Sequence, residues 1–316
     1  MNEGTPSIEA LALAETILRT ACGDRVRARF VLAPLTTFRI GGPAALFLEP
    51  EGEPDLVAAS VAIRETGIPV VVLGKGSNVL VADTGFQGLV LRLGRGYRWS
   101  ARDGDRLTAG AAMPLPALSG VALAHGLSGV EFGVAIPGSL GGAVRMNAGA
   151  HGGDMAGVVE SVDLFDLGNG HADRITGGDA GFSYRRSSLP RDAVVIGATL
   201  RLRPAAAAEI RARMDEARAW RRRTQPLAEP NCGSVFKNPP GEHAARLIDE
   251  AGAKGLAVGG ASVSRKHANF IITSEGARAG DVLSLIREVQ RLVATRSGIE
   301  LETEVHLVGD LDPATA

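Results

Sequence analysis

Cysteine is nearly missing from this chain: there are two in 316 residues, Cys22 and Cys232. Two thiols cannot build a disulfide framework and offer no metal-ligand spacing, so the expectation is a reducing compartment and no metal site. Aromatic residues are scarce too, with nine Phe, two Tyr and two Trp. Net charge is all but absent, since 34 basic side chains stand against 35 acidic ones. A chain balanced in this way is not built around nucleic acid, whose binders carry a marked positive excess. No stretch approaches the roughly 18 uninterrupted apolar residues of a membrane span. The first twenty residues carry Glu3, Glu9 and Glu15 where a signal peptide would need a basic start and an apolar stretch. A cytoplasmic protein away from membranes is therefore expected.

Several catalytic and nucleotide signatures are also missing. No strand leads into G-x-G-x-x-G with an acidic residue about 20 positions on, and no G-x-x-x-x-G-K-[ST] occurs, which disfavours the common nucleotide folds. No G-x-S-x-G elbow supports acyl transfer. What the chain has in quantity is glycine, 41 residues of it. Six fall in "IPGSLGGAVRMNAGAHGGD" (Ile136–Asp154), and others in "LGKGSNVL" (Leu73–Leu80). Glycine lets successive amides line a concavity that a Cβ would block, and such nests take phosphate oxygens. The same glycines would also serve as plain turns.

The length exceeds the roughly 250–300 residues at which single cores stop growing, so two or three domains are expected. Apolar periodicity predicts helices over 8–20, 55–66, 115–125, 205–223, 241–255 and 280–298. β-branched or alternating runs predict strands over 68–74, 79–82, 88–93, 158–167, 192–204, 267–273 and 299–309, with polar turns over 97–113. The composition changes at the Ala/Arg/Glu-rich segment beginning at Ala205, where the main boundary is placed. On the strand 299–309, Glu300, Glu302 and Glu304 alternate and would share a face.

Single residues say less. Ser187, Ser188 and Ser234 read first as turn or cap residues, Cys232 as a packed thiol, and His151 and His267 as structural histidines without a chelating partner. Arg221–Arg223 read as a solvated helix face.

Taken in order, "TTFRIGGPA", "LGKGSNVL", "AIPGSLGGAVRMNAGAHGGD", "YRRSSL", "CGSVFKNP", "SVSRKHANFI" and "LETEVHLVG" resemble the UDP-N-acetylenolpyruvoylglucosamine reductases, flavoenzymes of peptidoglycan synthesis. The resemblance runs from about Thr36 to Gly309. The short connection from Tyr184 to Arg223 looks like the family's type II branch, without the insertion that carries a substrate-binding tyrosine in type I. The resemblance implies an α+β chain: a two-subdomain FAD-binding fold of the vanillyl-alcohol-oxidase type with FAD between the subdomains, then a C-terminal α+β substrate domain. The boundaries it suggests are 1–73, 74–204 and 205–316.

Position by position, the resemblance assigns FAD contacts to Arg39, Gly41, Gly74, Gly76, Ser77, Asn78, Pro137, Gly138, Ser139, Gly141, Gly142, Asn147, Ala148 and Gly149. FAD would be noncovalent, although His151 stands where many relatives have tyrosine. Arg185 matches the catalytic arginine, Ser234 the proton-donating serine and Glu304 the catalytic glutamate. Tyr184, Lys237 and Asn238 are implied substrate contacts. Arg222, Arg223, Gln225 and Lys237 remain alternatives for the type I lysine that meets the diphosphate. NADPH would reload the flavin, the UDP-sugar would be the substrate, and no obligate protein partner is implied.

The residue types suit that chemistry. Adding hydride to a carboxylate-bearing enol ether builds an enolate-like charge, which fixed cations and donors must hold. Arginine offers a carboxylate a rigid fork, and a serine hydroxyl is a general acid. The alternatives are a flavin oxidase of the same fold and a noncatalytic flavin- or nucleotide-sugar-binding regulator.

Overall fold

The computed structural model describes residues 5–311. Its packing forms two compact units, neither contiguous in sequence. The first comprises the chain up to residue 28 with 46–75 and 88–220; the second comprises 29–45, 76–87 and the chain from 221 onward. This differs from the three consecutive segments expected, because the chain leaves the first unit twice to contribute short segments to the second. The boundary near 205 moves into a helix, since Ile210, Met214 and Ala217 are buried with Val134 of the first unit.

In the first unit, helix α1 (Ile8–Cys22) begins at Ser7, whose Oγ accepts the Ala10 amide at 3.1 Å, and buries Ala14, Leu18 and Cys22 one turn apart. Helix α2 (Glu53–Thr66) has Pro54 in its first turn and ends at Gly67 with φ 64°, the left-handed stop that glycine adopts freely. Val70–Val72 runs parallel to Leu89–Leu91, both within this unit. The strand expected over 68–74 is thus shorter.

A five-stranded antiparallel sheet follows, ordered His171–Thr176, Val159–Asp166, Ala193–Arg201, Arg106–Gly110, Ser100–Asp103. Its last two strands occupy the stretch read as polar turns. Ser100–Asp103 is an edge strand with three exposed residues out of four, so no apolar alternation marks it in the sequence. The strand Ala193–Arg201, buried at seven of nine positions, lies at the sheet centre. Helices α3 (Leu115–Ala124) and α4 (Leu140–Arg145) belong to this unit, and α5 (Ala207–Thr224) begins in it.

The second unit carries α6 (Ala244–Glu250) and α7 (Ala279–Ser297). Val282, Leu285, Ile286, Val289 and Val293 are the buried stripe of α7, at helical spacing. Ala257–Val258, Ala261–Val263 and Ile271–Thr273 form an antiparallel sheet, and His306–Val308 pairs in parallel with Val79–Val81. The expected strand 299–309 is therefore confined to its last third. Glu300 and Glu302 are exposed and Glu304 is half-buried, so the three glutamates do not share one environment.

Candidate active site

The first unit contains a cavity of about 120 Å³, lined by Val72, Gly74, Lys75, Arg92, Arg98, Ala111, Ser139, Gly141, Gly142, Arg145 and Val195, among others. Two glycine motifs meet in it. The turn after Val70–Val72 delivers Gly74, where an added Cβ would lie 2.8 Å from Ser139 Oγ. Ser139 opens α4, its hydroxyl accepting the Gly142 amide at 3.5 Å.

Gly141 and Gly142 differ sharply. The Gly141 amide donates to Ala111 O at 2.9 Å, and a Cβ there would come within 3.0 Å of Ala111 Cβ. Its bareness lets α4 sit close against the strand end, and its amide is spent on backbone, as is that of Leu140 on Met113 O at 2.8 Å. The expectation that this whole run turns its amides to phosphate is narrowed accordingly. At Gly142 a Cβ would meet only Ser139 Oγ, at an ordinary 3.5 Å. The protein's own packing gives no reason for a glycine at this exposed cavity-lining position, where it weakens the helix by about 0.5–1 kcal/mol relative to alanine.

The cavity's charge comes from residues the sequence reading did not select. Lys75 is pushed below the ordinary lysine range by burial and by the nearby Arg92 and Arg98 guanidiniums. Burial likewise lowers Arg92, against the pull of the Glu49 carboxylate 3.7 Å away. Crowded, partly desolvated cations are stabilised by an anionic ligand. Lys75 lies inside the quoted "GKGSN", but nothing in the sequence joins Arg92 and Arg98 to it. Arg145 also lines the cavity, yet its guanidinium is committed: Nη1 donates to Leu189 O (3.0 Å) and Pro190 O (2.8 Å), and Nη2 to Ala193 O.

Nearby expected residues divide between structural and open roles. Pro137 is exposed, while the Gly138 carbonyl accepts the Leu115 amide at 3.0 Å. A Cβ on Gly149 would strike Asp154 Cβ at 2.6 Å, so the short pairing of Gly149–Ala150 with Gly153–Asp154 requires glycine there. The half-buried Ala148 donates to Ala143 O at 2.8 Å. Asn147 is buried, with φ 42°; its Nδ2 donates to Ser183 O at 2.9 Å and its Oδ1 accepts the Ala156 amide at 2.8 Å. Tyr184 and Arg185 form the tip of a turn closed by Ser183 and Arg186, with the Arg185 guanidinium 5.1 Å from the Tyr184 ring centre. The His151 ring packs edge-on against Trp220, 5.0 Å between centres.

In the structure "GKGSN" is shared out: Gly74 and Lys75 belong to the first unit, Gly76, Ser77 and Asn78 to the second. Gly76 has φ 63°, and a Cβ would lie 2.0 Å from Leu35 O; Gly41 has φ 128° and faces Val81 Cβ at 2.7 Å. Both glycines are therefore demanded by the fold, while Arg39, whose amide donates to Thr36 O at 3.2 Å, adopts φ 59°. Asn78 holds the backbone of Glu304, donating from Nδ2 to Glu304 O at 3.0 Å and accepting the His306 amide at 3.1 Å on its own carbonyl. From the other side, the Glu304 amide donates to Val235 O at 2.7 Å and the Lys237 amide to Glu302 O at 2.9 Å. Ser234 and Glu304 thus lie on neighbouring segments of the second unit, joined by these amides and a bridge between Phe236 and Thr303.

Asn269, which the sequence reading did not select, locks the Ser234 segment. Its Oδ1 accepts the Phe236 amide at 2.9 Å, its Nδ2 donates to Phe236 O at 2.8 Å, and its own carbonyl accepts the Val235 amide at 2.9 Å. His267 supports Asn269: its Nδ1 accepts the Asn269 amide at 3.3 Å, and burial, reinforced by Lys254, pushes its pKa down. The Cys232 thiol is pushed far up by burial and by the Glu304 carboxylate, which removes it as a thiolate nucleophile. Lys237 Nζ pairs with Glu302 at 2.5 Å, and Asn238 Oδ1 accepts the Ala244 amide at 3.0 Å at the start of α6.

Residues 44–176 match the family described as FAD binding domain, and residues 225–308 match the C-terminal domain of UDP-N-acetylenolpyruvoylglucosamine reductase. The chain is 49% identical over 277 residues to the reductase of that name from Heliobacterium modesticaldum, covering 87% of this chain and 88% of that one. It is 46% identical over 299 residues to its counterpart from Anaeromyxobacter dehalogenans, covering 95% and 90%. The crystal structure of the Thermus caldophilus reductase superposes with a TM-score of 0.80 at 40% identity, over 90% of this chain and 99% of that one. The α+β fold, with an FAD-binding domain and a reductase C-terminal domain, is as expected from the motifs.

Proposed function

Since the chain belongs to the UDP-N-acetylenolpyruvoylglucosamine reductase family, we propose that it reduces UDP-N-acetylglucosamine enolpyruvate to UDP-N-acetylmuramate in the cytoplasmic stage of peptidoglycan synthesis. Noncovalent FAD is the cofactor and NADPH the reductant in this reading. The observation that carries it is the cavity whose helix start is left bare at Gly142 and whose lining includes Lys75, Arg92 and Arg98. That combination fits the anionic part of a dinucleotide, which Gly74, Ser139 and Gly142 would approach with main chain while the cations balance its charge. A cavity of about 120 Å³ accounts for only a portion of FAD. Bound FAD would supply the two-electron chemistry.

The chain's own residues do the rest. Arg185 pairs with the substrate carboxylate and holds the charge that develops when the enol ether is reduced. Ser234 gives its hydroxyl proton to the carbon beside that carboxylate. Glu304 orients the substrate and sets the charge around Ser234, and Tyr184, Lys237 and Asn238 contact the UDP-sugar. Lys237 already pairs with Glu302, and Asn238 accepts the Ala244 amide through Oδ1, bonds that each can keep while donating other N–H groups. The test is direct: purify the protein, record its visible spectrum, and follow NADPH oxidation with and without the enolpyruvyl sugar. A flavin spectrum with substrate-dependent NADPH oxidation is expected. A colourless protein that FAD cannot reconstitute overturns the reading.

A further inference from the structure

Arg185 is the third residue of a four-residue turn that cannot hold its shape by itself. Ser183 and Arg186 exchange backbone hydrogen bonds, Ser183 N to Arg186 O at 2.9 Å and Arg186 N to Ser183 O at 3.1 Å, leaving Tyr184 and Arg185 at the tip. Arg185 has φ 56°, in the left-handed region where a turn ordinarily places glycine. Such a conformation at a side-chain-bearing residue persists only where the surroundings over-determine it.

The support comes from residues 145–147. Asn147 is 4% exposed and itself left-handed. Both ends of its amide are used on backbone: Nδ2 on Ser183 O, the carbonyl that opens the turn, and Oδ1 on the Ala156 amide. On the far side of the tip, Ser187 Oγ donates to Arg145 O at 2.7 Å. The turn is therefore held at both shoulders by one three-residue stretch, Arg145–Asn147, which starts at the last residue of α4.

We propose that Asn147 is a positioning residue for Arg185: its amide nitrogen fixes the Ser183 carbonyl and so the direction in which the Tyr184–Arg185 tip presents its guanidinium. This rests on the reading that Arg185 engages the substrate carboxylate, and it gives Asn147 a different task from the cofactor contact implied by the family resemblance. The donor matters, not the bulk. Aspartate has the same shape, tolerates the left-handed region, and can still accept the Ala156 amide, but it sets an anion against the Ser183 carbonyl.

Asn147→Asp in the FAD-loaded enzyme separates these roles. The variant is expected to keep its flavin per chain, to lose turnover with the enolpyruvyl sugar on the order of 10²-fold, as a misaimed catalytic group does, and to exchange backbone hydrogens faster across 181–188. In a double-mutant cycle, Arg185→Ala should cost far less in the Asn147→Asp background than in the wild type. Loss of flavin, unchanged turnover and exchange, or full additivity with Arg185→Ala overturns the proposal. Wild-type turnover of Arg185→Ala alone instead sinks the underlying reading of Arg185. Should Asn147→Asp fail to accumulate, Asn147→Gly suits the left-handed backbone, removes both side-chain bonds, and is read by the same cycle.

Discussion

The cavity of the first unit and the Ser234–Glu304 segments of the second contribute in opposite ways. Around the cavity the informative feature is missing mass: Gly142 leaves open space in a cavity also lined by the half-buried Lys75 and Arg92 and the exposed Arg98. In the second unit it is bracing, because Asn78, Asn269 and paired amides hold the backbone of the two segments that carry Ser234 and Glu304. Adding atoms should damage the first kind of region through its ligand, and deleting atoms should damage the second through its chemistry.

The strongest test of that contrast is Ser234→Ala. Reoxidation of the reduced flavin by the enolpyruvyl sugar should slow by ~10²–10⁴-fold, while flavin content and its reduction by NADPH stay near wild type in stopped-flow traces. Equal damage to both half-reactions would make Ser234 structural and erase the difference between the units.

Within the first unit the contrast sharpens at two adjacent glycines. Gly142→Val should release FAD with little change in the melting temperature of the apoprotein. Gly141→Val must push against Ala111 and should destabilise the fold by about 1–3 kcal/mol in urea titration. If the two variants behave alike, the open space at Gly142 has no bearing on ligand. A smaller effect is expected for Arg98→Met: FAD affinity should fall several-fold and lose part of its salt dependence in fluorescence titration, as when one charge is withdrawn from an anion site. Unaltered salt dependence would detach Arg98 from the ligand.

The mildest effect concerns pH and the second unit. Burial depresses the His267 pKa below its ordinary 6.5. The folded state therefore prefers the neutral ring, and its contribution to stability is present above pH 6.5 and lost as pH falls through the depressed folded value. Urea midpoints should decline below pH 6.5, and His267→Gln should flatten that decline. A variant with the wild-type slope would place the titrating group elsewhere.

Much of this was legible in the chain. The apolar spacing of α1, α2 and α7 is a local feature, and the structure places those helices within a few residues of expectation. The hairpin at 100–110 was not legible, since an exposed edge strand carries no apolar alternation. The C-terminal strand is shorter than 299–309 because 299–305 ties to 235–237 at only a few amides and forms no regular ladder. Arg92 and Arg98 escaped notice because charges far from a motif in sequence carry no sign of convergence. Asn269 escaped because an asparagine in a strand-like run does not declare which backbone it will grip.

By itself the sequence determined the periodic helices, the glycine-rich turns and the ordered motifs that carry the resemblance to the reductase family. Helices and turns depend on neighbours three or four residues away, and motifs on residue identity along the chain. Only the tertiary structure decided that Gly141 is bare for packing and Gly142 is not, that Lys75, Arg92 and Arg98 crowd one cavity, and that Asn147 reaches the turn of Arg185. Whether a Cβ collides, a charge is crowded or an amide finds a carbonyl depends on which distant segments the fold brings alongside.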